Sequence, residues 1–150
     1  ALGMRVIAYS RRGVAAEVAE NADLPTLLAT SDIVSLHCPA TPETRHLMDA
    51  AAFAQMKDGA ILINTARGAV VDHAALTDAL RSGKLFGAGL DVFPEEPRIP
   101  AELLTMDNVV CTPHVGSNTA QTRADMAAAC ARQILDVLAG KRPENIVNGL

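Results

Sequence analysis

The sequence has no tryptophan, one tyrosine and three phenylalanines in 150 residues, although 49% of it is hydrophobic. The apolar content is carried by Ala, Val, Leu and Ile, which suits helices packed closely on a sheet. A basic stripe is also lacking. Lys and Arg number 13 against 17 Asp and Glu, the net charge is -4, and basic residues are scattered except for the pair Arg11 and Arg12. Nucleic acid is therefore not expected as a partner. No apolar run approaches the ~20 residues that span a bilayer, and no basic segment followed by an apolar stretch marks a signal peptide, so neither membrane nor export is expected. Cysteine is scarce: Cys38, Cys111 and Cys130 are odd in number and far apart. They match no zinc spacing and no disulfide framework, and read as reduced thiols of a cytoplasmic protein. No internal repeat or low-complexity segment is present.

What is there is an alternation of apolar runs and helical patterns. Val6 to Tyr9 reads as a strand, Asp23 caps a short helix, and Asp32 to His37 reads as the next strand. Asp49 to Met56 is a second helix with an Asp cap. Ala60 to Asn64 is continuously apolar up to its last residue, as in strands buried on both faces. Asp72 caps a helix with Leu76, Ala79 and Leu80 on one face, and Gly83 stands at its C-terminal stop. Phe86 to Leu90 and Asn108 to Cys111 are two further strands. The segment from Val92 to Leu104, with Pro94, Pro97 and Pro100, reads as a loop. From Thr119 to Ala139 a long helix is expected, with Met126, Cys130, Ile134, Val137 and Leu138 in one stripe and Gly140 as its stop. Residues 141–150 read as an irregular tail or a short return strand. The alternation predicts an α/β fold, a parallel sheet flanked by helices on both faces. Ligands of such folds bind at the carboxyl ends of the strands.

Four such strand ends carry chemistry. Arg67, in Asn64-Thr65-Ala66-Arg67-Gly68, offers a planar fork that matches a carboxylate, or equally a surface ion pair. Asp91 ends a strand and Glu96 follows it, in what is otherwise a solvated acidic loop. His114 follows the last strand, after the stiff Pro113 and before Gly116 and Ser117; a histidine there can move a proton near neutral pH, though a lone histidine is more often structural. Ser10-Arg11-Arg12 stands where dinucleotide-binding folds place an acid for the ribose 2′-hydroxyl, or a plain basic turn. Taken together, a cation for a carboxylate, an acid to orient a histidine and a histidine to move a proton gather at one sheet edge.

The ordered series of these segments resembles the D-isomer-specific 2-hydroxyacid dehydrogenase family. It runs from Met4 to Tyr9, through Ser31 to Pro39, Thr41 to Thr44, Ile63 to Gly68, Val71-Asp72, Ala88 to Phe93 and Thr112 to His114, and ends at Val147-Asn148. The resemblance implies a Rossmann-type doubly wound parallel sheet and a hydride transfer between NAD(P)H and a small 2-oxo or 2-hydroxy acid. It implies that Arg67 binds the substrate carboxylate, that His114 is the general acid, and that Glu96 holds the imidazole and favours its protonated form. It further implies that Asp91 bonds the nicotinamide carboxamide. Cys38, Pro39, Thr65 and Ala66 would line the ribose sites with Thr44 nearby, and Gly116 and Ser117 would border the nicotinamide. A cytoplasmic homodimer is expected.

Two departures from the family pattern carry expectations of their own. The G-x-G-x-x-G turn that seats the pyrophosphate belongs upstream of Met4 and is absent, with the family's first strand and helix. The chain thus reads as a C-terminal fragment, inactive alone, its sheet incomplete on the N-terminal side. Residues 1–117 are expected to form a partial nucleotide-binding domain, and residues 118–150 a long helix and tail returning towards a substrate domain. Second, Ser10-Arg11-Arg12 resembles the pattern of NADP-preferring glyoxylate and hydroxypyruvate reductases, so NADP is expected over NAD. A phosphoglycerate or other D-2-hydroxyacid dehydrogenase, a non-catalytic dinucleotide-binding fragment and a corepressor-like sensor remain open as alternatives.

Overall fold

The computed structural model describes residues 3–15, 17–143 and 145–146. It divides into two compact units, Ala1–His114 and Val115–Leu150.

In the first unit the elements follow in the order β1 (Ile7–Ala8), β2 (Glu20–Asn21), α1 (Leu24–Thr30), β3 (Ile33–Leu36), α2 (Ala50–Gln55), β4 (Ala60–Asn64), a 3₁₀ turn (Gly68–Val70), α3 (His73–Arg81), β5 (Leu85–Leu90), α4 (Ala101–Leu104) and β6 (Val109–Cys111). All strand pairs are parallel. Strands β3, β4, β5 and β6 pair in sequence order, as strand–helix units do when each crossover packs back on the growing sheet. The helix starts have a common cause: Asp23, Asp49 and Asp72 each accept backbone N–H bonds of the first helical turn.

The core lies between one sheet face and the helices. Val34, Leu36, Leu62, Ala88 and Leu90 point inward and are buried with Leu28, Phe53, Leu76, Leu80 and Leu103. Each of these side chains except Ala88 contributes about 1.5–3 kcal/mol by leaving water. On the other face of β3 and β6, Ile33 and Val110 are exposed, and Ile61 and Ile63 of β4 are half-buried.

Three features differ from the sequence expectation. The strand expected over Val6 to Tyr9 is two residues long and pairs with β2, a strand that its polar pair Glu20-Asn21 does not announce. Together β1 and β2 form a sheet separate from the four-stranded one. In the doubly wound order a further strand lies between these two pieces, and no described residue occupies that place. Finally, α4 interrupts the expected Val92 to Leu104 loop. Pro100 precedes it with φ -54°, already near the helical value, and four residues are too few to reveal a period.

The second unit contains α5 (Ala120–Leu138), capped by Thr119, whose hydroxyl accepts from Thr122 N–H. Of the expected stripe, Met126, Ile134, Val137 and Leu138 are all exposed. Residues 141–143 and 145–146 form no helix or strand. Val147-Asn148 lies outside the described residues.

Candidate active site

The carboxyl ends of β3 and β4 open into a cleft of about 510 Å³ lined by His37, Cys38, Pro39, Ala40, Thr65, Ala66 and Arg67. Five of the residues singled out from sequence therefore share one wall. Asn64 builds it. Its side chain is fully buried, accepts from Ala66 N–H at 3.0 Å and donates to the Arg67 carbonyl at 3.1 Å. These two bonds fold the chain back just after β4 and leave Arg67 exposed. Arg67 Nη1 donates to the Ala66 carbonyl at 2.6 Å, using one of its five N–H donors. Thr44 is buried. Its hydroxyl donates to the Pro39 carbonyl at 2.6 Å and accepts from Thr41 N–H at 2.8 Å, so it holds the loop that carries Pro39.

The ends of β5 and β6 bring Glu96 and His114 together. Glu96 Oε2 lies 2.7 Å from His114 Nδ1, and Glu96 Oε1 accepts from Phe93 N–H at 3.0 Å. A carboxylate only accepts, so Nδ1 carries the hydrogen and Nε2 is left to give or take a proton. The bond from His114, then that from Phe93, hold the Glu96 carboxyl below the usual carboxylate range, against partial burial and the negative charge of Asp91. His114 has φ 53°, in the left-handed region that a non-glycine residue enters at a cost of about 1–2 kcal/mol. Such strain collects where a side chain must be aimed. Asp91 is buried, accepts from the Thr112 hydroxyl, and its N–H donates to the Asn64 carbonyl at 2.9 Å.

The turn after β1 follows a strand of the separate two-stranded sheet. Gly13 N–H donates to the Ser10 carbonyl at 3.0 Å, and Arg11 and Arg12 are both exposed. Glu43 is held below its usual range first by Thr41, then by its own backbone N–H, with the charge of Arg11 adding to the effect. Gly116 and Ser117 belong to the second unit. No described helix is long and apolar enough to cross a membrane, and no described cluster of His, Cys, Asp and Glu could hold a metal ion.

Residues 1–116 match the family described as D-isomer specific 2-hydroxyacid dehydrogenase, NAD binding domain. The chain belongs to that family. It is 49% identical over 150 residues to a glyoxylate reductase of Thermococcus litoralis, covering 97% of this chain and 45% of that protein. It is 51% identical over 127 residues to a glyoxylate/hydroxypyruvate reductase B of Citrobacter koseri, covering 84% of this chain and 39% of that protein. Among solved structures, a glyoxylate reductase from Paecilomyes thermophila superposes with a TM-score of 0.90 at 34% identity, covering 97% of this chain and 45% of that one. A family member from Xanthobacter autotrophicus Py2, solved with NADPH and MES, does so with a TM-score of 0.82 at 42% identity, covering 97% of this chain and 62% of that one. The chain spans less than half the length of the curated relatives it matches.

As a member of this dehydrogenase family, the chain carries a nucleotide-binding α/β unit of Rossmann type whose cofactor is a nicotinamide dinucleotide. Sequence reasoning missed three residues of the site. Asn64 was visible as a polar residue ending an apolar run, a position that often closes a turn. His37 and Ala40 gave no signal beyond their neighbours, because only the fold sets β3 beside β4.

Proposed function

We propose that this chain is the cofactor-binding part of an oxidoreductase that interconverts a small 2-oxo acid and a D-2-hydroxy acid, of the glyoxylate/hydroxypyruvate reductase kind. The observation that carries the reading is the 2.7 Å contact of His114 Nδ1 with Glu96, on a backbone held at φ 53°. Arg67 provides the cation for the substrate carboxylate, on the turn that Asn64 closes. His114 protonates the carbonyl oxygen during reduction and takes that proton back in the reverse direction. Glu96 keeps the imidazole oriented with Nε2 free for that exchange. When bound, the reduced nicotinamide supplies the hydride.

The residues present suit a dinucleotide. The cleft at the ends of β3 and β4 is walled by Cys38, Pro39, Thr65 and Ala66, which fit the ribose positions, and Asp91 at the end of β5 fits the carboxamide. Ser10, Arg11 and Arg12 fit a 2′-phosphate, so NADP is the preferred cofactor. The NADPH complex of the Xanthobacter relative supports that choice. In this reading residues 1–117 are the nucleotide-binding part, and residues 118–150 lead towards a substrate domain. The protein works as a cytoplasmic homodimer.

The test is cofactor oxidation by the natural polypeptide that carries this sequence, with glyoxylate and hydroxypyruvate. Reduction of either acid is expected, with kcat/KM for NADPH at least about 10-fold above that for NADH, the worth of one charge-assisted bond. Absence of turnover with both acids would remove the enzymatic reading, and an NADH preference would remove the role of Arg11 and Arg12.

A further inference from the structure

Gly68 directly follows Arg67 and begins the 3₁₀ turn after β4. It is buried. A Cβ placed there would lie 2.1 Å from the Phe93 carbonyl carbon, 2.2 Å from its oxygen and 2.5 Å from Pro94 N. All three are backbone atoms, so no rotation of a side chain can make room. The requirement is for space rather than for an unusual backbone angle, because the φ of Gly68 is not in the left-handed region.

The loop pressed against Gly68 is the one that carries Glu96. Phe93 N–H donates to Glu96 Oε1 at 3.0 Å, and Glu96 Oε2 meets His114 at 2.7 Å. The Phe93 ring faces the His73 ring, their centroids 6.3 Å apart, so Phe93 is held from a second side. Across the contact, Asn64 fixes the turn that presents Arg67. One backbone-to-backbone approach thus joins the turn that aims the cation to the loop that orients the proton donor.

Resting on the function proposed above, we infer that Gly68 is a positioning residue: its missing side chain sets the separation between Arg67 and the Glu96–His114 pair. A methyl group needs roughly 1 Å more room than the contact leaves, and a misplacement of about 1 Å in a reacting set costs ~10²-fold in rate. Gly68 touches neither substrate nor cofactor in this account.

The experiment is Gly68→Ala, read in two ways. In the natural polypeptide that carries this sequence, kcat/KM for the 2-oxo acid is expected to fall about 10²-fold. In the chain of residues 1–150, the Glu96 carboxyl, followed by NMR titration, is expected to move up towards the ordinary carboxylate range as Phe93 N–H withdraws. If the alanine variant does not fold, Pro94→Gly loosens the same contact from an exposed position without adding an atom. It is expected to shift Glu96 in the same direction and to lower kcat/KM about 10-fold. A folded Gly68→Ala with wild-type kcat/KM and an unmoved Glu96 overturns the inference, as does an unaffected Pro94→Gly where the alanine variant is unfolded. A wild-type protein without turnover would count against the enzymatic reading alone, since the Glu96 titration still reports on Gly68.

Discussion

The ends of β4, β5 and β6 and the turn after β1 are both assigned to ligand, yet they are built in opposite ways. At the first, a fully buried Asn64 folds the chain back, Glu96 is held by a backbone N–H and a ring nitrogen, and Gly68 lets two backbones meet. At the second, β1 and β2 contribute two residues each, Arg11 and Arg12 lie exposed, and the ion pair of Arg5 with Glu20 is also exposed. The difference suits the roles proposed above for the two regions. The proposed proton transfer needs its atoms held closely, and the bonds to the exposed Glu96 and the buried turn at Asn64 supply that hold. The phosphate contact proposed for Arg11 and Arg12 tolerates exposed side chains, because charge acts at longer range.

This contrast can be broken or sharpened by urea unfolding of the chain of residues 1–150. Asn64→Ala removes both partners of the turn and leaves Ala66 N–H without an acceptor, so a loss of about 1–3 kcal/mol is expected. Arg5→Ala, in the exposed pair, is expected to leave the unfolding midpoint almost unchanged. Equal losses would mean that the two regions are held alike.

Between these falls a pH effect. Both ring nitrogens of His73 are buried. Burial pulls its titration below the ordinary imidazole range. The Gly68 backbone and the Asp72 carboxylate oppose this, and His46 adds to it. The unfolded chain therefore takes up a proton at a pH where the folded one does not. Stability from this group is complete above the ordinary imidazole range and declines as pH falls through it, by at most ~1.4 kcal/mol per pH unit. His73→Leu should flatten that part of the stability profile measured between pH 7 and pH 5, and an unchanged slope would assign it to other groups.

Much of the fold was legible in the sequence. The Asp caps at positions 23, 49 and 72 and the apolar run from Ala60 to Asn64 are local signals, and the elements they announce begin where those signals stand. What the sequence hid depends on partners far along the chain. Glu20-Asn21 is a strand only because β1 lies beside it. Thr44 looked available to a ligand, yet its hydroxyl is taken by Pro39 and Thr41. Arg67, Glu96 and His114 could be named from the family resemblance, whereas the need for glycine at position 68 arises from a loop that reaches it only after β5 is laid beside β4.

The central claim, that His114 moves the proton in a 2-oxo acid reduction, is tested most directly by His114→Asn in the natural polypeptide that carries this sequence. Asparagine accepts the left-handed backbone at this position but cannot shuttle the proton. The account predicts that the steady-state rate of NADPH oxidation with glyoxylate or hydroxypyruvate falls by ~10²–10⁴-fold while NADPH binding is retained. A variant within a few-fold of wild type would contradict it.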